Sequence, residues 1–302
     1  MSTDARATPR PRPTVRRPAG TERAVATGRP RRFATRSAGY VTLVVISAAT
    51  VFPFLWMIVT SVRPGNTVFG GGMIPTSVTS EAYERAWTEL NYPTHLWNSI
   101  YVTTATVVIV LALSTLGGYA FAKLDFPGKQ LIYIILLSTL MLPITAIIIP
   151  LFLEMRALNL LNTRQGLILV YVGGALPFAM FLMRAFFETL PDELIQAARV
   201  DGAGEFRIFA RVMLPLAAPG VATVVIFQFL ATWNEFLLAQ TFISAPQYLP
   251  LQPVLYGVVG QYSTDWPLLT AALTMSVVPI IVVYVRMQRR FVAGMTLGAV
   301  KD

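Results

Sequence analysis

Residues 96–122 read LWNSIYVTTATVVIVLALSTLGGYAFA, a run of 27 residues without a single Asp, Glu, Lys or Arg. Crossing the hydrocarbon core of a bilayer as a helix takes about 20 mostly apolar residues, because the core is about 30 Å thick. In lipid a helix also satisfies its own backbone hydrogen bonds, which an isolated extended segment cannot do. This stretch is therefore predicted to be a membrane-spanning α-helix.

Five further uncharged stretches meet the same length requirement. They are residues 37–62, 130–153, 165–183, 212–234 and 266–285. The composition agrees, since 55% of the 302 residues are hydrophobic, only 13% are charged and the mean hydropathy is +0.60. A soluble globular domain has about 25% charged residues. We predict an all-α membrane protein with six transmembrane helices, of which the fourth, with Gly173, Gly174 and Pro177, is expected to be kinked.

Basic residues are distributed unevenly among the segments that connect these helices. If the N-terminus lies inside, 20 of the 24 Lys and Arg residues are cytoplasmic and only four lie outside. The excess of basic residues on the cytoplasmic side predicts the orientation, with both termini in the cytoplasm. It also accounts for the net charge of +9 without nucleic acid as a partner, because these side chains contact anionic lipid headgroups.

The two ends of the chain differ from its apolar middle. Residues 1–36 carry ten basic residues among Pro, Ala and Thr, and cannot bury enough apolar surface to offset the entropy of ordering. They are predicted to form a disordered basic cytoplasmic tail, with an arm that binds anionic lipid or nucleic acid as the alternative. The transmembrane domain is expected over residues 37–290, and residues 291–302 are expected to form a C-terminal cytoplasmic tail.

The sequence lacks the usual signatures of catalysis and energy coupling. It has no Cys, no GxxxxGK[ST] nucleotide motif and no GxSxG elbow, and its single histidine, His95, is expected to be solvated in an external loop. No catalytic residue and no metal site are predicted. The predicted spans also lack the ionisable residues that mark proton and ion pathways. We therefore expect a subunit that is not an enzyme, with any ATP hydrolysis supplied by another chain.

Between the fourth and fifth spans lies a polar segment, PDELIQAARVDGAGEFRIFARVMLP, residues 191–215. Its opening Pro-Asp-Glu suits a helix start, where a fixed φ and negative charge meet free N–H groups. Asp201 and Gly202 predict a break, because Gly adopts the left-handed conformation that ends helices. A second helix is expected over residues 205–212, with a stop at Pro215. The segment is predicted to be a cytoplasmic helix-turn-helix.

Small side chains surround the expected turn, so that the backbone of another protein can approach closely. They are Ala197, Ala198, Gly202, Ala203 and Gly204. An amphipathic helix resting on lipid headgroups is the alternative, but it normally needs large apolar anchors, which the turn lacks. A DNA-reading helix-turn-helix is disfavoured, because both ends of the segment are tethered to membrane spans. We therefore expect a protein-docking surface.

The stretch QAARVDGA, residues 196–203, resembles the EAA signature of the permease subunits of ATP-binding cassette importers. The surrounding segment is similar to the carbohydrate branch of that family, which includes the maltose permease G subunit. The resemblance extends to four other places, namely Asn98-Ser99, GYAFAKLDFPGK at 118–129, ATWNEF at 231–236 and the ending RRFVAGMTLGAVKD. The chain differs from the family at Gln196, where Glu is usual, so that a hydrogen-bonding group remains without its charge.

The resemblance implies the permease subunit of a sugar or oligosaccharide importer in a bacterial plasma membrane. It implies as partners a second homologous permease, an ATP-binding cassette ATPase dimer that binds ATP and Mg²⁺, an extracytoplasmic solute-binding protein, the sugar and membrane lipid. No cofactor is expected on this chain itself. The residues expected to contact the ATPase are Glu193, Gln196, Ala197, Ala198, Asp201, Gly202, Ala203, Leu214 and Pro215, with Gly298, Ala299, Val300 and Lys301 in the tail.

Three residues near the outer end of the fifth span are candidates for the substrate path. Trp233 can stack on a sugar ring, Asn234 can donate and accept hydrogen bonds, and Glu235 can line a polar path. The alternatives are an aromatic-belt position for Trp233 and a capping or interfacial role for Glu235. For the whole protein, the alternatives are an importer permease for another solute, an ion-coupled secondary transporter, and a non-transport scaffold or enzyme subunit.

Overall fold

The computed structural model describes residues 29–65, 72, 75, 77–260 and 263–299. In this part of the chain the structure is helical, with one β-bridge between Val259 and Thr264 and no strand. The helices are α1 Arg29–Ser61, α2 Glu81–Thr88, α3 Tyr92–Lys123, α4 Lys129–Ser138, α5 Ile144–Ala157, α6 Arg164–Glu188, α7 Glu193–Val200, α8 Glu205–Ile208, α9 Leu214–Leu216, α10 Ala218–Trp233, α11 Leu237–Phe242, α12 Leu251–Gly257 and α13 Trp266–Ala299. The predicted all-α fold is confirmed.

Four unbroken helices are long and apolar enough to cross a membrane. They are the stretch Gly39–Ser61 of α1, the whole of α3 and α6, and the stretch Trp266–Arg289 of α13. Two further spans are each divided by a bend, of 103° between α4 with its following turn and α5, and of 74° between Glu205–Leu216 and α10. With each bent pair counted as one span the described residues contain six, which confirms the predicted number.

The chain divides into two units, residues 1–52 and 53–302. The described part of the first unit is the N-terminal portion of α1, whose side chains from Gly39 to Phe52 are exposed. The division falls at Pro53, which removes one helix N–H donor from the middle of α1. The other helices belong to the second unit, which carries every feature discussed below.

The third span is broken, and its contacts show that it crosses the membrane instead of turning back. Tyr133 of α4 packs against Arg184 near the end of α6, with the guanidinium carbon 3.9 Å from the ring centroid. Phe152 of α5 packs against Phe242, whose carbonyl accepts a hydrogen bond from the N–H of Asn162 just before α6 begins. These two contacts lie near opposite ends of α6, so α4 and α5 together cross the same thickness as α6.

The fourth span, α6, is longer than its uncharged stretch and contains a proline without interruption. Thr163 caps its first turn by accepting a hydrogen bond from the Gly166 N–H at 3.0 Å. The helix continues to Glu188, because a charged residue ends a lipid-facing run but not a helix. Pro177 leaves the carbonyl of Gly173 without its usual helical donor. The proline thus removes one hydrogen bond from α6 without dividing it.

The fifth span is divided by a bend that the sequence does not predict. Helical structure does not stop at Pro215 but continues through a π-helical turn at Phe209–Met213 to Leu216. Pro215 lies in α9 directly after the π-helical turn, and it does not end the helical run. The bend falls instead at Ala217, ahead of Pro219 in the first turn of α10. The predicted stop is therefore wrong, and residues 205–233 form one helical run with a sharp bend at Ala217.

The tightest helix packing joins α3 to α6. A methyl group added at Gly118 would lie 2.6 Å from Cβ of Met183 and 2.9 Å from the backbone nitrogen of Arg184, closer than real contacts allow. Val110 of α3, together with Met183 and Phe187 of α6, is fully buried in the same cluster. A small residue at such a crossing lets two helix backbones approach, which is how membrane helices gain packing energy. The pair α3–α6 is the centre of the second unit.

Short helices cover the ends of the spans on the side opposite the segment 191–216. Helix α2 packs against α13 and α3, with Ala82 and Ala86 buried beneath it. Arg85 of α2 pairs with Glu89 at 2.9 Å and with Asp265 at 2.8 Å. The hydrogen bonds that Arg85 donates to these two carboxylates raise the pKa of its guanidinium. Because Asp265 directly precedes α13, the ion pair ties α2 to the start of the last span.

Candidate functional site

The segment between α6 and α10 folds as the helix-turn-helix that the sequence predicts; it is called here the helix-turn-helix segment, residues 191–216. Helix α7 begins at Glu193, and the Ile195 N–H donates to the carbonyl of Asp192 at 3.0 Å. Gly202 follows α7 with a φ of +75°, the left-handed conformation expected at the break. The predicted start, break and restart are thus all observed.

The predicted contact residues of this segment form its outward surface. The exposed ones are Glu193, Gln196, Ala197, Asp201, Gly202 and Pro215, and the half-buried ones are Ala198, Ala203 and Leu214. A methyl group added at Gly202 or Gly204 would meet nothing within 4 Å, so the turn is open. Leu214 and Pro215 lie apart from the turn, on α9 beyond the π-helical turn.

Two large apolar side chains flank the open turn and are exposed. Val200, the last residue of α7, is 88% exposed, and Phe206 in α8 is 76% exposed. Neither was identified from the sequence, where each is an isolated apolar residue in a polar segment. The expectation that the turn lacks large apolar groups is therefore wrong. Exposed apolar groups beside a bare turn are typical of a surface that another protein covers.

The inner face of the helix-turn-helix segment packs on α3 and α6. Ile195 and Ile208 are buried there, with Ile208 completely covered. The ring of Phe209 lies 5.3 Å from that of Tyr119 in α3 and 6.4 Å from that of Phe187 in α6. Full burial of one such side chain contributes about 2 kcal/mol. The segment is thus mounted firmly on two spans.

Helix α3 also holds the start of α7 through a buried lysine. The Lys123 Nζ donates to the Leu190 carbonyl at 2.7 Å and to Asp192 Oδ1 at 2.5 Å. Because the Lys123 side chain is only 6% exposed, its charge is largely removed from water and depends on these two acceptors. Asp192 precedes α7, where a negative charge suits the helix dipole. Lys123 therefore fixes α7 to the end of α3.

One helical turn earlier on α3, Tyr119 holds the start of α8. Its hydroxyl donates to Glu205 Oε2 at 3.3 Å, while Arg199 of α7 pairs with Glu205 Oε1 at 2.7 Å. Glu205 thus joins both short helices to α3. Tyr119 and Lys123 belong to the stretch 118–129, which was noted for its family resemblance, and that stretch is the sequence signal for this contact.

The candidate substrate-path residues lie on the opposite side of the membrane from the helix-turn-helix segment, in different environments. Trp233 is 2% exposed and stacks on Phe229, with the ring centroids 5.4 Å apart. This burial inside the protein argues against a place in a lipid-facing aromatic belt. Asn234 is exposed, and its Nδ2 donates to the Leu230 carbonyl at 2.9 Å. The three residues are neighbours in the structure, but of the three only Asn234 has an exposed side chain.

Glu235 is occupied by hydrogen-bond donors of the protein itself. Its Oε1 accepts from the Leu238 N–H at 2.8 Å, and its Oε2 accepts from the Ala239 N–H at 3.0 Å and the Tyr171 hydroxyl at 2.6 Å. The carboxylate therefore caps the N-terminus of α11, which is the capping role that the sequence left as an alternative. The bond to Tyr171 also ties α11 to α6.

A second contact region lies at the start of α3, where residues 243–251 between α11 and α12, called here the outer loop, are held in place. Asn98 is completely buried, and its Nδ2 donates to the carbonyls of Gln247 and Leu249, both at 3.0 Å. The Ser99 hydroxyl accepts from the N–H of the last residue of the loop at 2.8 Å. The pair Asn98-Ser99, noted in the sequence as family-like, thus fixes the backbone of the outer loop.

The environment of His95 differs from the prediction. The side chain is 6% exposed, and its Nδ1 lies 2.7 Å from the carbonyl oxygen of Leu249. The expectation of a solvated histidine is wrong, because a loop 154 positions further along the chain folds over it. Such a contact leaves no local signal in the sequence around His95.

Two residues at the junction of α5 and α6 complete the frame around the outer loop. The Asn162 side-chain oxygen accepts hydrogen bonds from two successive N–H groups of the loop, the nearer from Ser244 at 2.5 Å. Arg164 Nε donates to Asn98 Oδ1 at 2.9 Å, and its guanidinium carbon lies 5.3 Å from the ring centroid of Tyr248. The outer loop is therefore held from α3 and from the start of α6.

The predicted N-terminal tail falls largely outside the described residues, whereas most of the predicted C-terminal tail lies within them. Residues 1–28 are outside them, and α1 begins at Arg29, within the predicted N-terminal tail. Helix α13 continues past residue 290, where the transmembrane domain was predicted to end. The four predicted tail contacts are Gly298 and Ala299 at the end of α13, and Val300 and Lys301 outside the described residues.

These features define a class of protein. Six spans carry a rigidly mounted helix-turn-helix on one face, and in the described part of the chain no group of three His, Asp or Glu residues is placed to hold a metal ion. The geometry is that of a multi-span membrane protein with an exposed helix-turn-helix. Residues 114–297 match the family described as "Binding-protein-dependent transport system inner membrane component", and the chain belongs to that family.

Relatives of known name agree with this assignment. The chain is 37% identical over 271 residues to the diacetylchitobiose uptake system permease protein NgcG of Streptomyces coelicolor, covering 89% of each protein. It is 38% identical over 272 residues to the trehalose transport system permease protein SugB of Mycobacterium tuberculosis, covering 89% of this chain and 98% of that one.

A solved structure shares the fold. It is the crystal structure of a bacterial ABC transporter involved in the import of the acidic polysaccharide alginate, one chain of which is 28% identical with a TM-score of 0.75. The match covers 86% of this chain and 97% of that chain. The chain is therefore a membrane permease component of a binding-protein-dependent transport system, and its architecture is that of an ABC transporter subunit.

Proposed function

We propose that this chain is the permease subunit of an ATP-binding cassette importer for a sugar or oligosaccharide, and that it forms half of the translocation path. The names of its relatives, which refer to diacetylchitobiose and trehalose transport, support this class of substrate. The proposed partners are a second related permease, an ATPase dimer that binds ATP and Mg²⁺, and an extracytoplasmic solute-binding protein. ATP hydrolysis is assigned to the ATPase, so this chain is not an enzyme.

The proposed orientation in the bacterial plasma membrane places the helix-turn-helix segment and both termini in the cytoplasm. Its support is the distribution of charge, with 20 of the 24 Lys and Arg residues on that side. The outer loop, α2 and the residues 233–235 then face the extracytoplasmic side. The ATPase and the solute-binding protein would engage opposite faces of the same six-span subunit.

The observation that carries the proposal is an open turn flanked by two exposed apolar side chains. Gly202 and Gly204 leave room for a partner backbone, and Val200 and Phe206 offer apolar surface to a cleft on the ATPase. Burial of a phenylalanine side chain contributes about 2 kcal/mol. The exposed Gln196 offers an amide where the resembled family usually has Glu, so we propose a neutral hydrogen bond to the ATPase at this position.

The mounting of the helix-turn-helix segment suits the transmission of a mechanical force. Lys123 and Glu205 tie its two short helices to α3, and Phe209 packs between α3 and α6. When the ATPase closes on ATP, a displacement of the segment would therefore move α3 and α6 with it. We assign to this subunit a rigid-body motion that alternates access to the path.

The proposed substrate-path residues remain Trp233, Asn234 and Glu235. Their contacts support a different role for each. Asn234 is exposed and offers its side chain to a sugar hydroxyl. Glu235 already accepts three hydrogen bonds, so we assign it the positioning of α11 beside the path. Trp233 is covered by Phe229 and supports the end of α10.

The test is transport by the complete complex in proteoliposomes, with a panel of mono- and oligosaccharides that includes N-acetylated disaccharides and trehalose. We expect uptake that requires ATP and the solute-binding protein and that stops on addition of vanadate. Uptake that resists vanadate and is abolished by an ionophore would contradict the proposal and would indicate an ion-coupled transporter instead.

A further inference from the structure

Helix α3 differs from every other described span in having neither an internal proline nor a bend. Helices α1, α6 and α13 contain Pro53, Pro177 and Pro279, and the remaining two spans are broken by bends of 103° and 74°. The one proline of α3, Pro93, lies in its first turn, where a missing N–H has no helical partner to lose. Its 32 residues form one unbroken helix of about 48 Å at 1.5 Å per residue.

Each end of α3 holds a segment from a distant part of the chain. At one end Tyr119 and Lys123 bind the first turns of α8 and α7. At the other end Asn98 and Ser99 bind the backbone of the outer loop. The two sets of contacts are about 37 Å apart along the helix, counted from Asn98 to Lys123. A single unbroken element thus contacts both loops that face the two sides of the membrane.

The covalent route between the same two loops is more compliant. It runs through α10, which begins after the 74° bend at Ala217 and ends in a non-helical turn at residues 234–236. A bend or a turn absorbs displacement by small changes in φ and ψ, whereas an unbroken helix does not. Near its inner end, α3 is also packed against α6 at Gly118, where a methyl group would have no space. Helix α3 is therefore the stiffer connection between the two faces.

We propose that α3 acts as a rod that links the position of the outer loop to the position of the helix-turn-helix segment. A partner that engages one face then changes the contact surface presented to the partner on the other face. Asn98 and Lys123 are the positioning residues at the two ends of the rod. This inference rests on the proposed function, because it assumes a solute-binding protein outside and an ATPase inside.

The outer end is tested by a readout from the inner side, the stimulation of ATP hydrolysis by the solute-binding protein in the complete complex. We expect Asn98→Ala to lower this stimulation roughly tenfold, within the range of typical coupling between distant sites. The matched control is Asn162→Gly, which removes a different side-chain hydrogen-bond partner of the same outer loop, an acceptor that does not lie on α3. Glycine suits the control because Asn162 has a φ of +56°.

The inner end is tested by a readout from the outer side. The chain has no Cys, so Gln247→Cys places a single exposed thiol on the outer loop for a membrane-impermeant maleimide. We expect ATP with vanadate to change its labelling rate in the complete complex, and Lys123→Met to abolish that change while Lys123→Arg retains it. The matched control is Lys129→Met, since Lys129 binds only its own connection, at Leu124 and Asp125.

The outcomes separate the rod from a loss of folding and from a failure of the proposed function. Co-purification with the partner subunits shows that a variant is folded, and Ser99→Ala replaces Asn98→Ala if the latter does not assemble. Equal losses for Asn98→Ala and Asn162→Gly, or a labelling change that survives Lys123→Met, would overturn the rod. A wild-type complex that hydrolyses ATP without regard to the solute-binding protein would contradict the proposed function and, with it, the rod.

Discussion

The helix-turn-helix segment and the outer loop are both held by α3, but by different kinds of contact. The helix-turn-helix segment is bound through its side chains, with Asp192 and Glu205 paired to α3 and Phe209 packed beneath. The outer loop is bound through its backbone, whose carbonyl and N–H groups meet the side chains of Asn98 and Ser99. The helix-turn-helix segment is attached to α3 while its own apolar side chains stay exposed. The outer loop has its backbone conformation fixed by the side chains around it.

This difference indicates how each region works. A segment fastened from below with Val200 and Phe206 exposed is suited to being gripped by another protein. A loop whose backbone is fixed at several points holds a defined shape almost independently of its own side chains. The first region should therefore be sensitive to changes on its outward surface, and the second to changes in the residues of α3 that hold it.

The largest expected effect comes from separating α3 from α6 beneath the helix-turn-helix segment. Gly118→Val would force a side chain against Met183 and Arg184, and overpacking of this kind costs at least about 1–3 kcal/mol. We expect little or no assembled protein by size-exclusion chromatography in detergent. Gly173→Val is the matched control, because a methyl group added there meets nothing within 4 Å. Equal recovery of both variants would contradict the tight crossing.

The next effect is loss of coupling without loss of the protein. Gly202→Asp and Ala198→Arg add bulk and charge to the docking surface, and we expect uptake to fall by roughly a hundredfold while ATP hydrolysis persists, about 3 kcal/mol of lost coupling. Gly65→Asp is the matched control, since Gly65 also has a positive φ, +63°, and open space around it. Normal uptake by both helix-turn-helix variants would rule out a docking role for the turn.

A smaller effect is expected from the apolar groups beside the turn. Phe206→Ser removes a ring that is mostly exposed, so stability should change little. The apparent affinity for the ATPase should fall roughly tenfold. Phe206→Leu keeps an apolar group and should retain most of the affinity. Binding of the purified ATPase to permease in nanodiscs gives the measurement. Unchanged affinity of Phe206→Ser would show that the ring rests on lipid or solvent instead.

The smallest effect is expected near the outer loop, at Glu235. Glu235→Gln weakens the cap of α11, and loss of such a cap costs about 1 kcal/mol, so the melting temperature should fall by a few degrees with uptake nearly unchanged. Asn234→Ala provides the contrast, because its side chain is exposed and its loss should reduce uptake without changing stability. If Glu235→Gln reduced uptake and Asn234→Ala lowered the melting temperature instead, the roles assigned to the two residues would be reversed.

The sequence predicted the features that depend on local preference or on an uncharged run. Six spans follow from the lengths of apolar stretches, and the break at Gly202 follows from the freedom of glycine at positive φ. The stop at Pro215 was wrong, since the helical run continues past this proline to Leu216 and bends only at Ala217. Local sequence rules predict the helices well, but they predict less well where one helix ends and the next begins.

The features that the sequence did not yield depend on contacts between distant parts of the chain. Lys123 and Asp192 are 69 positions apart, and His95 is covered by a loop 154 positions away. Val200 and Phe206 become candidates for the docking surface only because the folded segment leaves their side chains exposed. The family resemblance of stretch 118–129 indicated the region that contacts the helix-turn-helix segment. It did not indicate what Lys123 does there.

The central claim is that an ATPase grips the helix-turn-helix segment, and the absence of Cys from the chain allows a direct test. Single cysteines at Val200→Cys, Phe206→Cys and, as a control on the opposite face, Tyr256→Cys can each carry a photoactivatable cross-linker in the complete membrane complex. We expect an adduct with the ATPase from positions 200 and 206 and none from position 256. No ATPase adduct from either helix-turn-helix position, or equal yield from position 256, would contradict it.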